Sequence, residues 1–545
     1  MFFRFLFAAA LAGSACGASA QMPAGWEEPL PSGPMNDAYE LTPDSQRQPG
    51  VPQGKVFSFK LEDSKIFPGT RRNIQLYVPS QYTADQPARV YVGLDGLGMN
   101  AAVVFDNLIH KGELPVIIGV GLPPGAVPPA ADDNEDPRFN RSYEFDGVND
   151  LLCRFLLEEV FPLAEQQKTP DGLPVRLSRN PDDRCAGGGS TGGIGAFKLA
   201  WERPDQFRRV FSAIGTFVSM RGGDRYPALV RKTEPQPLRV FLQDGHHDQW
   251  LGGPEVGDWW MGNVTLNRAL EFSGYDVRHA WGTGPHSGKQ AAALFPDAMR
   301  WLWRDGGAPV TAAPEKSLNV FLKQILLPGE GWTRVDRAPD GAATLAVDAK
   351  GAVTARAFAP GEAAQSFALP NGDRYAADPA AGTLALVKAD GARRTVAERL
   401  VAPGGVAVTP DGRWLAAVES RTHWGTSFRV EADGSLTCGQ RFYWFHVPDA
   451  DEDLGSGQCT FDADGRLYVA TRLGVSVLDR NGRTRAILPL PNTDGKPAAD
   501  AVAFGGEAFD TLYALSGGAL FKRKLRVSGV PPAAPFKKLP PWGAG

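Results

Sequence analysis

The sequence predicts two domains: an α/β domain with a mostly parallel sheet flanked by helices, and an all-β domain of short strands behind it. Three observations predict this. From Val56 to Asp305, strand-like apolar runs alternate with helical ones, the pattern of successive βα units. A Gly-, Pro- and Ala-rich stretch, GGAPVTAAPEK over Gly306–Lys316, interrupts it and reads as a linker. Beyond it, short apolar strands are punctuated by Asp-Gly and Asn-Gly turns at a repeating interval, the texture of β-propeller blades.

Met1 to Ala20 has the form of a secretory signal. Arg4 is its positive start, Phe5 to Ala12 its apolar centre, and Ala18-Ser19-Ala20 its cleavage site. That apolar run is too short to span a bilayer, and no later segment of the sequence is long and apolar enough to do so. The expectation is a periplasmic or secreted protein cleaved after Ala20. Residues 21–54 are rich in Pro, Gly and polar residues and are expected to form an extended arm. The α/β domain then spans 55–305, the linker 306–316 and the propeller 317–545. With Cys16 removed, Cys153, Cys185, Cys438 and Cys459 remain. In an exported protein an even count is compatible with one bridge per half. Cys459 with Cys438 is one such pair.

The chain has 545 residues and a formal net charge of -4. It has no basic stripe, which argues against nucleic acid as a partner. No C-x-x-C and no His/Cys spacing suggests structural zinc, and no cofactor is expected.

Within the α/β domain, strand-like Asn73–Val78, Arg89–Leu94 and Leu114–Val120 precede a helix-spaced Leu151–Val160. The stretch GGGSTGG, Gly187 to Gly193, then contains Gly-x-Ser-x-Gly centred on Ser190. Arg184–Ala186 ends a strand before it, and Gly192–Trp201 can start a helix after it. This is the context of a nucleophile elbow, whose sharp turn needs glycine where backbones crowd. An α/β-hydrolase triad runs Ser, then Asp or Glu, then His. Strand-like Arg239–Gln243 is followed by Asp244-Gly245-His246-His247-Asp248, and strand-like Asp276–Trp281 leads to His286 in a Gly-rich loop. Ser190 is therefore the candidate nucleophile, His286 its base and Asp248 the acid, with Asp244 the competing choice. Backbone N–H groups of Thr191 and of Leu97, in the loop after Arg89–Leu94, are the candidate oxyanion donors. Asp95, His247 and Arg221 are candidate substrate contacts.

These pieces resemble the esterase family that includes enterochelin esterase, esterase D, and feruloyl and acetyl xylan esterases. The matching residues are Phe67–Arg71, Leu94-Asp95-Gly96, Arg141–Asp146 leading into Phe155–Pro162, the Ser190 motif, Trp201-Glu202-Arg203-Pro204 and Gly282–His286. The resemblance implies an α/β-hydrolase fold and carboxylic ester hydrolysis through an acyl-enzyme. Expected substrates are acetyl- or feruloyl-type esters of polysaccharides. A siderophore trilactone is the alternative, to be met by cations such as Arg221, Arg225 and Arg231.

The second half, about Ser317 to Arg526, resembles the gluconolactonase/regucalcin family. Leu327–Trp332, Val408–Gly412, Phe461–Thr471 and Phe504–Gly506 carry the likeness. It implies six blades around a divalent metal held by Glu, Asn and Asp. The sequence departs at all three ligand positions, which fall on Ala343-Thr344-Leu345, Pro403-Gly404-Gly405 and Cys459. The expectation is a propeller without its metal. A carbohydrate-binding role, with Trp424, Tyr443, Trp444 or Phe445 stacking on sugars, and a residual lactonase role are further alternatives.

Overall fold

The computed structural model describes residues 39–129, 136–249, 255–362, 364–447, 454–491 and 498–541. The signal-like segment and the arm up to residue 38 lie outside them. The rest of the arm is fastened to the first domain. Asn107 Nδ2 donates to the carbonyls of Asp44 and Gln46, each at 2.8 Å, and Arg300 donates to Asp44 Oδ2 at 2.5 Å.

The first sheet has eight strands: β1 (Lys55–Leu61), β2 (Arg72–Val78), β3 (Arg89–Leu94), β4 (Ile117–Leu122), β7 (Arg184–Gly189), β8 (Arg209–Ala213), β9 (Arg239–Gly245) and β10 (Asp276–Gly282). A two-residue-stranded hairpin, β5 (Ala126–Val127) and β6 (Arg138–Phe139), stands apart from it. The order is β1-β2-β4-β3-β7-β8-β9-β10. Only β2 opposes the others, pairing antiparallel with both β1 and β4. From β4 across to β10 every pair is parallel.

Helices cover both faces, as a parallel sheet requires. On one face lie α1 (Ala101–His110) and α8 (Lys289–Leu302), whose Phe105, Leu108, Phe295 and Met299 pack with Tyr91 and Phe241. On the other lie α2 (Arg141–Phe145), α3 (Leu151–Phe155), α4 (Phe161–Glu165), α5 (Thr191–Glu202), α6 (Tyr226–Lys232) and α7 (Trp259–Phe272). Here Phe155, Phe197, Tyr226 and Leu266 pack with Val90, Val92, Val240 and Leu242. The strand residues alternate between the two clusters, as the pleat dictates. Full burial of each large apolar side chain is worth roughly 1.5–3 kcal/mol.

This layering overturns the disulfide expectation for the first half. Cys153 belongs to one face's cluster and Cys185 to the other's, so the sheet separates them. All four cysteines of the described residues are free thiols.

Among the described residues the second domain is propeller-like with four four-stranded blades, not six. They are β14 to β17 (Ser366–Ala368, Arg374–Asp378, Thr383–Val387, Arg393–Ala397), β18 to β21 (Pro403–Val408, Trp414–Glu419, Trp424–Val430, Leu436–Trp444), β22 to β25 (Cys459–Phe461, Leu467–Thr471, Gly474–Leu478, Thr484–Leu488), and β26 to β28 (Ala501–Gly505, Thr511–Ser516, Ala519–Lys524). The last is completed by β11 (Thr333–Arg337) from the start of the domain. A two-stranded sheet, β12 (Thr344–Val347) with β13 (Val353–Arg356), packs beside β26. The cause is length. The strands lie between Thr333 and Lys524, and at about 40–45 residues per four-stranded blade that stretch holds four blades and part of a fifth. Cys459 opens its blade on the buried first strand, whereas Cys438 lies exposed on the last strand of the preceding blade. That separation overturns the second expected bridge.

The two domains are joined along a seam. Arg523 on β28 forms a two-pronged ion pair with Glu234, at 2.5 and 2.7 Å. Glu234 N–H donates to Ile487 O at 2.9 Å, and the Ile487 side chain enters the first domain's cluster. Asn319 Nδ2 donates to Arg231 O at 2.9 Å. A cavity of about 220 Å³ lies along this seam, lined by Trp201, Leu229, Val447, Leu473 and Ile487 among others. The linker is also bound down: Val310 is buried, and its N–H donates to Asp182 Oδ1 at 2.8 Å.

Candidate active site

Strand β7 ends at Gly189, helix α5 begins at Thr191, and Ser190 alone makes the turn between them. It does so at φ 57°, ψ -125°, a conformation that costs a non-glycine residue energy and persists only where the surroundings enforce it. They do: Ser190 N–H donates to Ala213 O at 2.9 Å, while its carbonyl accepts from Gly193 at 2.8 Å. The glycines make room. A Cβ on Gly188 would lie 2.5 Å from Gly192 O, and one on Gly193 would lie 2.8 Å from Ala213 O.

The parallel register then brings the later strand ends beside the elbow. His286, in the loop after β10, places Nε2 2.9 Å from Ser190 Oγ. Its Nδ1 lies 2.7 and 3.0 Å from the two oxygens of Asp248. The Asp248 side chain is wholly buried, whereas His286 stays 21% exposed, leaving the imidazole open to a substrate. Of the two acids left open by the sequence, Asp248 therefore faces His286. Asp244 stands at the end of β9, also fully buried. Burial, and then the neighbouring Asp248 charge, hold its carboxyl far above the usual carboxylate range.

The other expected site residues fall as follows. Thr191 is the first residue of α5, so its N–H is one of the helix's unbonded leading donors. Leu97 N–H is turned elsewhere: it donates to the Gln75 side-chain oxygen at 3.2 Å, and the Leu97 side chain lies over Gly119 and Gly121. Asp95 is clasped by Arg141 through two hydrogen bonds of 2.8 and 2.7 Å, which fix the loop after β3. Arg221 sits 5.5 Å over the Tyr143 ring, next to that clasp on α2. His247 Nδ1 lies 2.6 Å from Thr283 O, tying the loop after β9 to the loop after β10.

Sequence reasoning missed several supports. Trp259 packs edge-on against the His286 ring at 5.8 Å, and its indole N–H donates to Thr216 at 3.3 Å. Asn263, fully buried on α7, uses its amide hydrogens on the carbonyls of Gly215 and Trp259. Beneath the elbow, Lys198 donates to Glu144 O at 2.8 Å, and burial pushes its ammonium down to about 8. Glu144 is itself paired with Arg72, both side chains wholly buried. The Asp258 cap at the start of α7 was the one local signal for the Trp259 helix; the rest depends on tertiary contacts.

The propeller's three expected ligand positions do not fit a metal. Thr344 donates to Gln458 Oε1 at 2.8 Å, and Gln458 Nε2 donates to Ala343 O at 2.5 Å. Gln365 brackets the Cys459 backbone through both its side-chain atoms, at 2.8 Å each. Gly404 and Gly405 lie against the Ser456 and Gly457 carbonyls, with no room for a side chain. Among the described residues no group of three His, Cys, Asp or Glu could hold an ion.

A serine on a strand-to-helix elbow is thus hydrogen-bonded in turn to a histidine and a buried aspartate, the arrangement a serine-hydrolase mechanism requires. Residues 64–324 match the family described as "Putative esterase". That match supports carboxylic ester hydrolysis as the chemistry of the first domain. Residues 345–518 match the SMP-30/gluconolactonase/LRE-like region. Among solved structures the chain is similar to the enterochelin esterase of Shigella flexneri, at 18% identity over 47% of this chain and 60% of that one, with a TM-score of 0.35. A ferulic acid esterase matches at 16% identity over 46% of this chain and 99% of that one, TM-score 0.34. A gluconolactonase of Xanthomonas campestris matches at 20% identity over 33% of this chain and 64% of that one, TM-score 0.26. No curated protein matches the chain.

Proposed function

We propose that the protein is an exported serine esterase that cleaves acyl esters of polysaccharides, of acetyl or feruloyl type, through an acyl-enzyme. The observation that carries the reading is the unbroken relay from Ser190 Oγ through His286 to Asp248. Ser190 Oγ attacks the ester carbonyl carbon while His286 Nε2 takes its proton. Asp248 holds the imidazole in the tautomer that accepts at Nε2 and stabilises the cation that forms. Collapse of the tetrahedral intermediate expels the alcohol, which takes the proton back from His286. Water then repeats the sequence on the acyl-enzyme and releases the acid. The oxyanion is met by Thr191 N–H at the start of α5. The second donor expected, Leu97 N–H, is engaged by the Gln75 side chain at 3.2 Å.

The cations invoked for a siderophore trilactone support that alternative less. Arg225 reaches across the seam to Val447 O, and Arg231 lies over the Phe272 ring, which leaves Arg221 near the clasp. The carbohydrate-stacking reading narrows as well: Tyr443 and Phe445 are buried, while Trp444 is exposed.

The test is hydrolysis of a short-chain nitrophenyl ester panel by the mature protein and its Ser190→Ala variant. Turnover is expected in the first and background in the second, with equal thermal unfolding. Equal rates in both would remove Ser190 as nucleophile.

A further inference from the structure

The end of β9 and the turn after it carry two buried carboxyl groups, and the relay uses one. Asp248 N–H donates to Gly245 O at 2.9 Å, which folds Asp248 back beside Asp244. Both side chains are inaccessible to water. Asp244 Oδ1 accepts from Gly245 N–H at 2.7 Å, but Oδ2 is buried without a hydrogen bond. Its side-chain neighbours are Asp248 and Asn263. Asn263 has spent its amide hydrogens on the Gly215 and Trp259 carbonyls, so what it can offer Asp244 is Oδ1, itself buried and unsatisfied. A carboxylate at 244 would thus face a second carboxylate and an amide oxygen, acceptor against acceptor. Leaving such groups unpaired inside a protein is destabilising, and more so when they are charged. One proton on Asp244 Oδ2 removes the repulsion between the two carboxylates and supplies one donor.

We propose that Asp244 is a positioning residue, kept as a neutral carboxylic acid, which donates a hydrogen bond to the triad acid Asp248 and so fixes its orientation and limits its basicity toward His286. The proposal rests on the serine-esterase reading for its meaning, but not for its measurement. Burial and the Asp248 charge both favour the neutral form of Asp244. The other groups around the turn are His286, facing Asp248, and His246 and His247 on the turn itself. His247 is tied to Thr283 O and His246 stacks edge-on to Trp260.

Two variants of the full chain separate a neutral donor from an anion. Asp244→Asn keeps the shape, the charge of the neutral acid and a donor; its amide has two hydrogens for the two waiting acceptors. Asp244→Leu removes the donor. The first readout is the acidic limb of the kcat/KM profile against pH on a nitrophenyl ester. The second, independent of any substrate, is the titration of the His286 ring by nitrogen-15 NMR, assigned by loss of its signal in His286→Gln. For Asp244→Asn, both are expected to stay within about 0.3 pH units of the parent, with thermal stability equal or higher. For Asp244→Leu, Asp248 loses its donor, and the His286 titration is expected to move upward by about half a unit or more. A downward shift in Asp244→Asn would show that an anion had been removed and would overturn the proposal. So would an unchanged titration in Asp244→Leu, which would leave Asp244 a purely structural residue. If no ester is turned over, the esterase reading falls, while the NMR titration still decides the coupling. If Asp244→Leu does not fold, Asp244→Asn decides by the sign of its shift.

Discussion

Ser190 holds a backbone conformation that its neighbours must enforce, and Gly188 is a neighbour with no room for a side chain. A methyl group there would meet the Gly192 carbonyl at 2.5 Å, and backbone cannot swing aside as a side chain can. Gly188→Ala is expected to lower stability by about 1–3 kcal/mol and to reduce ester turnover more than substrate affinity, since Ser190 Oγ leaves its 2.9 Å contact with His286. Denaturant unfolding, with kcat and KM determined separately, checks this. At this scale the sequence was most legible where chemistry follows chain order. Ser190, Asp248 and His286 appear in the expected succession, each just after a strand. The choice between Asp248 and Asp244 was not legible, because four residues of turn decide which carboxylate reaches the imidazole. Leu97 illustrates the same limit: its position after β3 was right, but the amide's direction depends on Gln75, a strand away.

Strands and helices were legible where periodicity met punctuation. The alternation of Val90, Tyr91 and Val92 between two clusters is the residue-by-residue signature of a sheet covered on both sides. Pairing of cysteines was not legible, since it depends on which face of an element each occupies. That placement carries a prediction at the element scale. Native protein lacking residues 1–20 is expected to react with one equivalent of a thiol reagent, at Cys438, and to expose three more thiols on unfolding. Its melting temperature should not move with reductant. A Tm lowered by reductant would point to a bridge and contradict the separation of Cys153 from Cys185 by the sheet. Blade number also escaped the pattern. Turn spacing identifies blades, but how many four-stranded sheets form is settled by the length of chain available between Thr333 and Lys524.

For the whole molecule, the seam matters most. Arg523 is 3% exposed and Glu234 14%, so removing one partner leaves a buried charge unpaired, which costs about 3–5 kcal/mol. Arg523→Met is therefore expected to loosen the propeller from the first domain. Calorimetry should show one unfolding transition become two, with ester hydrolysis retained up to the first. The salt bridge could not be read from sequence, because its partners are nearly three hundred residues apart and each looks like an ordinary surface charge. Ile487 carries a different consequence. Its side chain fills a place in the hydrolase's own apolar interior, so the first domain's interior is finished by an atom group that another module supplies. A fragment cut at the linker would offer water an empty greasy socket, and a foreign domain grafted there would have to bring its own plug. The two halves thus behave less like beads on a string than like a bottle and its stopper, exchangeable only as a matched set.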